Sequence, residues 1–177
     1  MDDTRIGRAV LGLATGIAIA GGLALVIVTI ITAASVVGRA LIPLGLKPVA
    51  GDVEIVQFGV LFAIFCSLPL TQYQRGHADV ALLTDLFPPR VAAIIELIMD
   101  TVMLVVTAFI VWRFTLGMLD KYANKEMSFI LHVPVWLSYA AAMLGAIGML
   151  MVSLYCVVRA GANAFSRDPY KPEPGIF

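Results

Sequence analysis

The sequence is short of charge, of cysteine and of histidine, and each shortage excludes a class of protein. Only 14% of the 177 residues are charged, whereas a soluble domain carries about 25%. The 12 basic and 12 acidic side chains cancel to a formal net charge of zero, which argues against nucleic-acid binding because that function needs a clustered basic surface. Two cysteines cannot form a disulfide framework, and together with two histidines they leave few candidate ligands for a metal site.

The abundant residues are hydrophobic, and they indicate a lipid environment. They make up 60% of the chain, and the mean hydropathy is +0.96. A chain this apolar cannot cover a water-facing surface, so we expect much of it to face lipid. The sequence contains no nucleotide-binding loop, and the segments between its apolar runs are too short for a soluble catalytic domain.

Four apolar runs are long enough to cross a bilayer, which takes about 20 residues per helix. The first run, between Ala9 and Gly38, contains no charge. It is far longer than the roughly 7–15 apolar residues of a cleaved signal peptide, so we expect a retained helix. We therefore predict an all-α integral membrane protein with one membrane domain over residues 1–177. The predicted spans are 10–37, 53–72, 92–117 and 134–158.

The segment between the second and third spans is amphipathic and too short to cross the membrane. Val80, Leu83 and Phe87 fall on one helix face at the spacing i, i+3, i+7. We predict a short interfacial helix over residues 78–87, lying in the plane of the membrane surface. The alternative is a solvated loop whose leucines touch the ends of the spans.

The orientation of the spans is predicted from lysine and arginine, which favour the cytoplasmic side. An even number of spans places both termini on one side, together with the segment after the second span. That side carries seven basic residues against five on the other, so we expect both termini in the cytoplasm. Trp136 then lies near the outer interface, as in an aromatic belt. The seven are Arg5, Arg8, Arg75, Arg90, Arg159, Arg167 and Lys171, and the five are Arg39, Lys47, Arg113, Lys121 and Lys125.

A few charges stand inside or beside the apolar runs, where a charge normally faces protein or water. Glu54 falls in the first turn of the second span, where the helix dipole favours an anion. Glu96 and Asp100 are four residues apart in the third span and therefore share a helix face. They could form a proton or ion relay, but we favour a position near the headgroups, where they pair with Arg90 or with a partner subunit.

Histidine and cysteine give no cofactor site. A bis-histidine haem needs two imidazoles at one depth, whereas the predicted spans place His77 and His132 on opposite sides of the membrane. Cys66 and Cys156 are expected to pack as small hydrophobes. We predict no cofactor, no metal and no catalytic residue.

Small residues at four-residue spacing allow two helix backbones to approach closely. Gly12 with Gly16, in the first span, and Ala141 with Gly145, in the fourth, follow this pattern. The pattern favours assembly but does not identify the partner helix.

The stretch QRGHADVALLTDLFPPR, after the second span, carries the most specific motif of the chain. A basic residue, a glycine and a histidine precede a leucine-rich stretch and a proline, and the entry to the last span, SFILHVPVWLSYAAAMLG, is also distinctive. With Glu54 opening the second span, the chain resembles the small membrane subunit of TRAP (tripartite ATP-independent periplasmic) transporters over almost its whole length. Members often have an acid four residues after the histidine; this chain has Ala81 there. The matching residues are Arg75, Gly76, His77, Leu82, Leu83, Pro88, Pro134, Trp136 and Tyr139.

The resemblance implies an accessory role in a bacterial inner membrane. Such a subunit pairs with a large membrane subunit that holds the substrate and sodium sites and moves like an elevator. A periplasmic binding protein delivers the substrate, commonly an organic acid. The small subunit braces the static scaffold and contacts membrane lipids, without catalysing a reaction.

Nine residues are therefore candidates for interfacial anchoring or partner contact rather than for catalysis. Two other functions stay open at this point. One is the membrane anchor subunit of a redox enzyme, and the other is a small transporter that works alone as a homo-oligomer. The nine candidates are Glu54, Arg75, His77, Asp79, Asp85, Arg90, Glu96, Asp100 and Trp136.

Overall fold

The computed structural model describes residues 5–45, 47–74 and 88–165, and this part of the chain is helical. Its four long helices are each long and apolar enough to cross a membrane, which confirms the predicted all-α membrane fold. The predicted interfacial helix, 78–87, lies outside the described residues. The helices are α1 (Arg5–Ala40), α2 (Asp52–Tyr73), α3 (Pro89–Ala123) and α4 (Trp136–Ala164), with a single 3₁₀ turn, Ile42–Leu44, after α1.

The lengths of the helices place the membrane boundaries. At 1.5 Å per residue, the 22 residues of α2 extend about 33 Å, which is close to the roughly 30 Å of a hydrocarbon core. Both ends of α2 therefore lie near the membrane interfaces. The 36 residues of α1 extend about 54 Å and the 35 residues of α3 about 52 Å, so these helices must tilt or continue beyond the bilayer.

The spatial order of the helices differs from their order in the chain. Helix α2 packs between α1 and α4, and α4 packs between α2 and α3. Helix α1 also touches α4 along a short stretch, but among the described residues α1 and α3 do not meet. The outer helices α1 and α3 consequently leave wide apolar faces uncovered, whereas α4 is the most buried of the four.

The contact between α1 and α2 follows a seven-residue repeat. Five of the six buried residues of α1 recur at every seventh position, which is the spacing of a left-handed helix pair, and the sixth is Gly38. Most of them are small, and a Cβ on Gly21 would stand only 2.7 Å from the Cβ of Cys66 in α2. The repeat comprises Gly7, Ala14, Gly21, Val28 and Ser35.

Glycines also bring α2 and α4 together. A Cβ on Gly145 would overlap the backbone of Phe65, and one on Gly148 would meet Pro69 at 3.3 Å. The Ala141–Gly145 pair thus lies where α4 approaches α2 closely, as its four-residue spacing allows. Gly12 and Gly16, in contrast, have no atom within 4 Å of a would-be Cβ, so the GxxxG of α1 faces away from the chain's other described helices.

The two cysteines and a proline also lie in the core of the bundle. Cys66 and Cys156 are buried and are not joined in a disulfide, and Cys156 packs with Ala14 and Val152. Pro69 is buried inside α2, which continues to Tyr73. Helix α4 begins two residues after the predicted start at position 134, because residues 134 and 135 belong to the preceding loop.

We predict that Gly145→Ala destabilises the helix bundle, because the new methyl group must push the α2 backbone away. Overpacking of this kind costs about 1–3 kcal/mol. The measurement is thermal unfolding of the detergent-solubilised protein by circular dichroism. Gly16→Ala is the matched control and should maintain or raise the melting temperature, since open space surrounds Gly16 and alanine favours a helix more than glycine does. Equal melting temperatures for the two variants would contradict the described α2–α4 contact.

Candidate functional site at the start of the second helix

The start of α2 is built around a glycine with two roles. Gly51 precedes the helix with φ of +74°, in the left-handed region that side chains disfavour. It also lies directly under Leu131, whose Cγ would stand 2.6 Å from a Cβ at this position. Gly51 thus lets the chain turn into α2 and lets the loop between α3 and α4 rest on that turn.

Glu54, one turn into α2, fastens this loop. The residue is only 9% exposed. Its carboxylate accepts hydrogen bonds from the Oγ of Ser128 at 2.8 Å, from the amide of Ile130 at 2.8 Å and from the amide of Leu131 at 2.9 Å. A buried carboxylate is tolerated only when such donors compensate its lost hydration. The first-turn position adds the favourable field of the helix N-terminus.

The loop that binds Glu54 is itself a compact hairpin. The amide of Ser128 donates to the carbonyl of Val133 at 2.9 Å, and the amide of Val135 donates to the carbonyl of Glu126 at 3.0 Å. Two non-glycine residues of the loop have left-handed backbones, Lys125 (φ 50°) and His132 (φ 53°). Such conformations are costly and persist where surrounding contacts hold them. The loop therefore has one defined shape, which we call the 126–135 hairpin.

A second polar group ties the end of α1 to the start of α2. Asp52 Oδ2 accepts hydrogen bonds from the Oγ of Ser35 at 2.5 Å and from Nη2 of Arg39 at 2.6 Å. Its other oxygen accepts the amide of Val53 at 2.9 Å. No periodicity in the sequence pairs Asp52 with Ser35 or Arg39. The acid at the beginning of an apolar run, directly after a glycine, was the available signal, because acids favour the first turn of a helix.

The end of α3 is attached to the same region. Lys121 Nζ lies 2.9 Å from the Glu126 carboxylate, and the ring of Tyr122 packs edge-on against Trp136 with centroids 5.7 Å apart. An open groove of about 340 Å³ lies beside Glu54 and reaches Phe58 and Glu126. These contacts together join the end of α3 and the start of α4 to the start of α2. In the described ranges no group of three or more His, Cys, Asp or Glu side chains could hold a metal ion.

Two other candidate acids, Glu96 and Asp100, lie toward the opposite end of the bundle. Asp100 is buried and Glu96 half-buried in α3. Leu97 follows Glu96 in the chain and approaches the last turns of α4. Its Cδ1 would lie 3.8 Å from a Cβ added to Gly161. Glu96 and Asp100 each take part in a polar interaction, while Arg90 is exposed. Glu96 is thus close to the level of the α4 end, and Asp100 lies one turn further along α3.

The structure brings together only part of the predicted candidate set. Glu54 and Trp136 both lie at the start of a helix at the same end of the bundle, and Glu54 contacts this chain's own hairpin. His132 stands in that hairpin, its Nδ1 3.1 Å from the carbonyl oxygen of Ile130. Four candidates lie outside the described residues: Arg75, His77, Asp79 and Asp85.

Comparison with known proteins gives one match. The family model described as "Tripartite ATP-independent periplasmic transporters, DctQ component" matches residues 28–162. This range runs from the middle of α1 almost to the end of α4, and it includes both polar attachments at the start of α2. No curated protein and no solved structure matches the chain significantly.

We predict that Glu54→Ala releases the 126–135 hairpin from α2. The amides of Ile130 and Leu131 lose their acceptor, so their hydrogen exchange should accelerate roughly tenfold or more. The measurement is hydrogen–deuterium exchange followed by mass spectrometry on peptides from this loop. Asp120→Ala is the matched control, because its carboxylate bonds to Asn124 rather than to the hairpin. Slow exchange of these two amides in the Glu54 variant would contradict the described attachment.

Proposed function

Because the chain belongs to the DctQ component family of the tripartite ATP-independent periplasmic transporters, we propose that it braces the static part of such a transporter. The family assignment makes it the small membrane subunit, a transporter component rather than a member of an enzyme family. In the proposal, the large membrane subunit binds substrate and sodium and moves as an elevator. The small subunit stays fixed beside it and limits the tilting of its scaffold.

The observation that carries this proposal is the uncovered apolar surface of α1. On its side opposite α2, the helix presents Gly12 and Gly16 with open space around them. Ile19 and Leu23 continue that side and are both 59% exposed. A surface of this kind is suited either to lipid or to a second membrane helix, and the paired glycines allow the closer approach of a helix. We propose that this face contacts the large subunit.

The polar attachments at the start of α2 support a bracing role. Glu54 holds the hairpin between α3 and α4, and Asp52 holds the end of α1. All four helices are thereby fastened at one end of the bundle. A subunit that resists movement needs such fixed geometry, whereas a moving carrier needs helices that can separate.

The wider setting of the transporter is also part of the proposal. A periplasmic binding protein delivers an organic acid, and sodium drives its uptake across the bacterial inner membrane. The excess of basic residues on the side of the termini supports an orientation with both termini in the cytoplasm. In this orientation the 126–135 hairpin and Trp136 lie on the periplasmic side.

We predict that the tagged chain, purified in mild detergent, brings down one large polytopic membrane protein at a fixed ratio. The double variant Gly12→Leu with Gly16→Leu should lose most of that partner, because the bulky side chains prevent close helix approach. Mass spectrometry measures the recovered ratio. Gly22→Leu is the control: Gly22 also has open space around it but lies toward a different side of the helix.

Two results would contradict this proposal. Undiminished recovery of the large protein with the double variant would exclude the α1 face as its contact. Recovery of a soluble redox enzyme with the wild-type chain, accompanied by a haem absorption band, would instead support the membrane-anchor function.

A further inference from the structure

The 126–135 hairpin exposes hydrophobic side chains at its end. Phe129 is 96% exposed, Met127 58% and Ile130 56%; we call these three the apolar tip. Isolated exposed hydrophobic residues are common on protein surfaces. Here, however, three of four consecutive residues are exposed together, and the fourth, Ser128, is buried with its hydroxyl on Glu54.

The backbone of the apolar tip is fixed. Ile130 donates its amide to Glu54, and residues 128 and 133 are hydrogen-bonded across the hairpin. The left-handed backbones at Lys125 and His132 add conformational cost to this shape. The side chain of Phe129 is therefore exposed because the hydrogen-bonded hairpin holds it outward.

The depth of the apolar tip follows from its attachment to α2. Glu54 is in the first turn of a helix about as long as the hydrocarbon core is thick, so it lies near the membrane interface. Hydrogen bonds of 2.8 and 2.9 Å hold Ile130 and Leu131 at that level. Phe129, between Ser128 and Ile130, consequently lies at the same depth and not far out in water.

The surroundings of the apolar tip continue the lipid-facing surface. Val53 and Leu137, in the first turns of α2 and α4, are 56% and 49% exposed. Tyr122 is exposed nearby at the end of α3, and aromatic side chains favour the interface. Lys125, at the base of the hairpin, is an exposed cation that complements anionic headgroups.

We propose that the apolar tip is a membrane-interface anchor, with Phe129 inserted at the boundary between the headgroups and the acyl chains of the leaflet on the α2 start side. Its ligand is the phospholipid surface itself. Lys125 attracts the phosphate groups, and the hairpin fixes the height of the α3–α4 connection in the bilayer. The proposal rests on the four spans and is independent of the transporter assignment.

The test measures the depth of a spin label at Phe129 in nanodiscs of phosphatidylethanolamine and phosphatidylglycerol. Phe129→Cys is made in a chain whose buried Cys66 and Cys156 are replaced by alanine. Power saturation then compares collisions with oxygen, which enters lipid, and with a nickel chelate, which stays in water. The spin label free in buffer supplies the water reference, and Val105→Cys, exposed in the middle of α3, supplies the hydrocarbon reference.

We expect the oxygen-to-nickel ratio at Phe129 to be several-fold above that of the free label in buffer and below that at Val105. Met127→Cys should give a similar intermediate value, which would show that the result does not depend on one labelled position. A ratio equal to that of the free label would overturn the proposal, because the tip would then stand in water. Protection from both reagents in the complex purified from its native membrane would also overturn it, by showing that a protein covers the tip.

Discussion

The buried carboxylate of Glu54 is the constraint on which the arrangement of the bundle depends. A charge at the edge of the hydrocarbon region must find donors within the protein, and Glu54 finds them in a hydroxyl and two amides of the 126–135 hairpin. That attachment sets where α3 ends and where α4 begins. Helix α4 is the most buried helix and packs against α2. The contact at the start of α2 therefore also positions the first turn of α4 against α2.

A bundle of this shape cannot enclose a site of its own among the described residues. The helices α2 and α4 cover each other, but α1 and α3 each have only one substantial helix neighbour. Their outer faces must therefore contact lipid or another protein, as expected of a subunit that serves a larger assembly. The polar attachments at the start of α2 connect the ends of these outer helices to the two central helices, α2 and α4.

Sequence alone was sufficient for the fold class, because lipid requires long uninterrupted apolar helices that composition reveals. It was insufficient for contacts between distant residues. Ser128, the partner of Glu54, is 74 positions away along the chain, and no periodicity links the two. Two similar small-residue pairs also proved different: Gly145 touches α2, while Gly16 touches nothing in the described chain. The spacing permits close contact, but only the three-dimensional packing determines whether a helix is there.

We propose that this chain braces a transporter whose substrate passes through another subunit. The most direct test of this role is to delete the chain and measure sodium-driven uptake of a labelled organic acid through the cognate large subunit in whole cells. Uptake should fall to background, although the large subunit is still made, and expression of this chain from a plasmid should restore it. Unchanged uptake without the chain would contradict a bracing role.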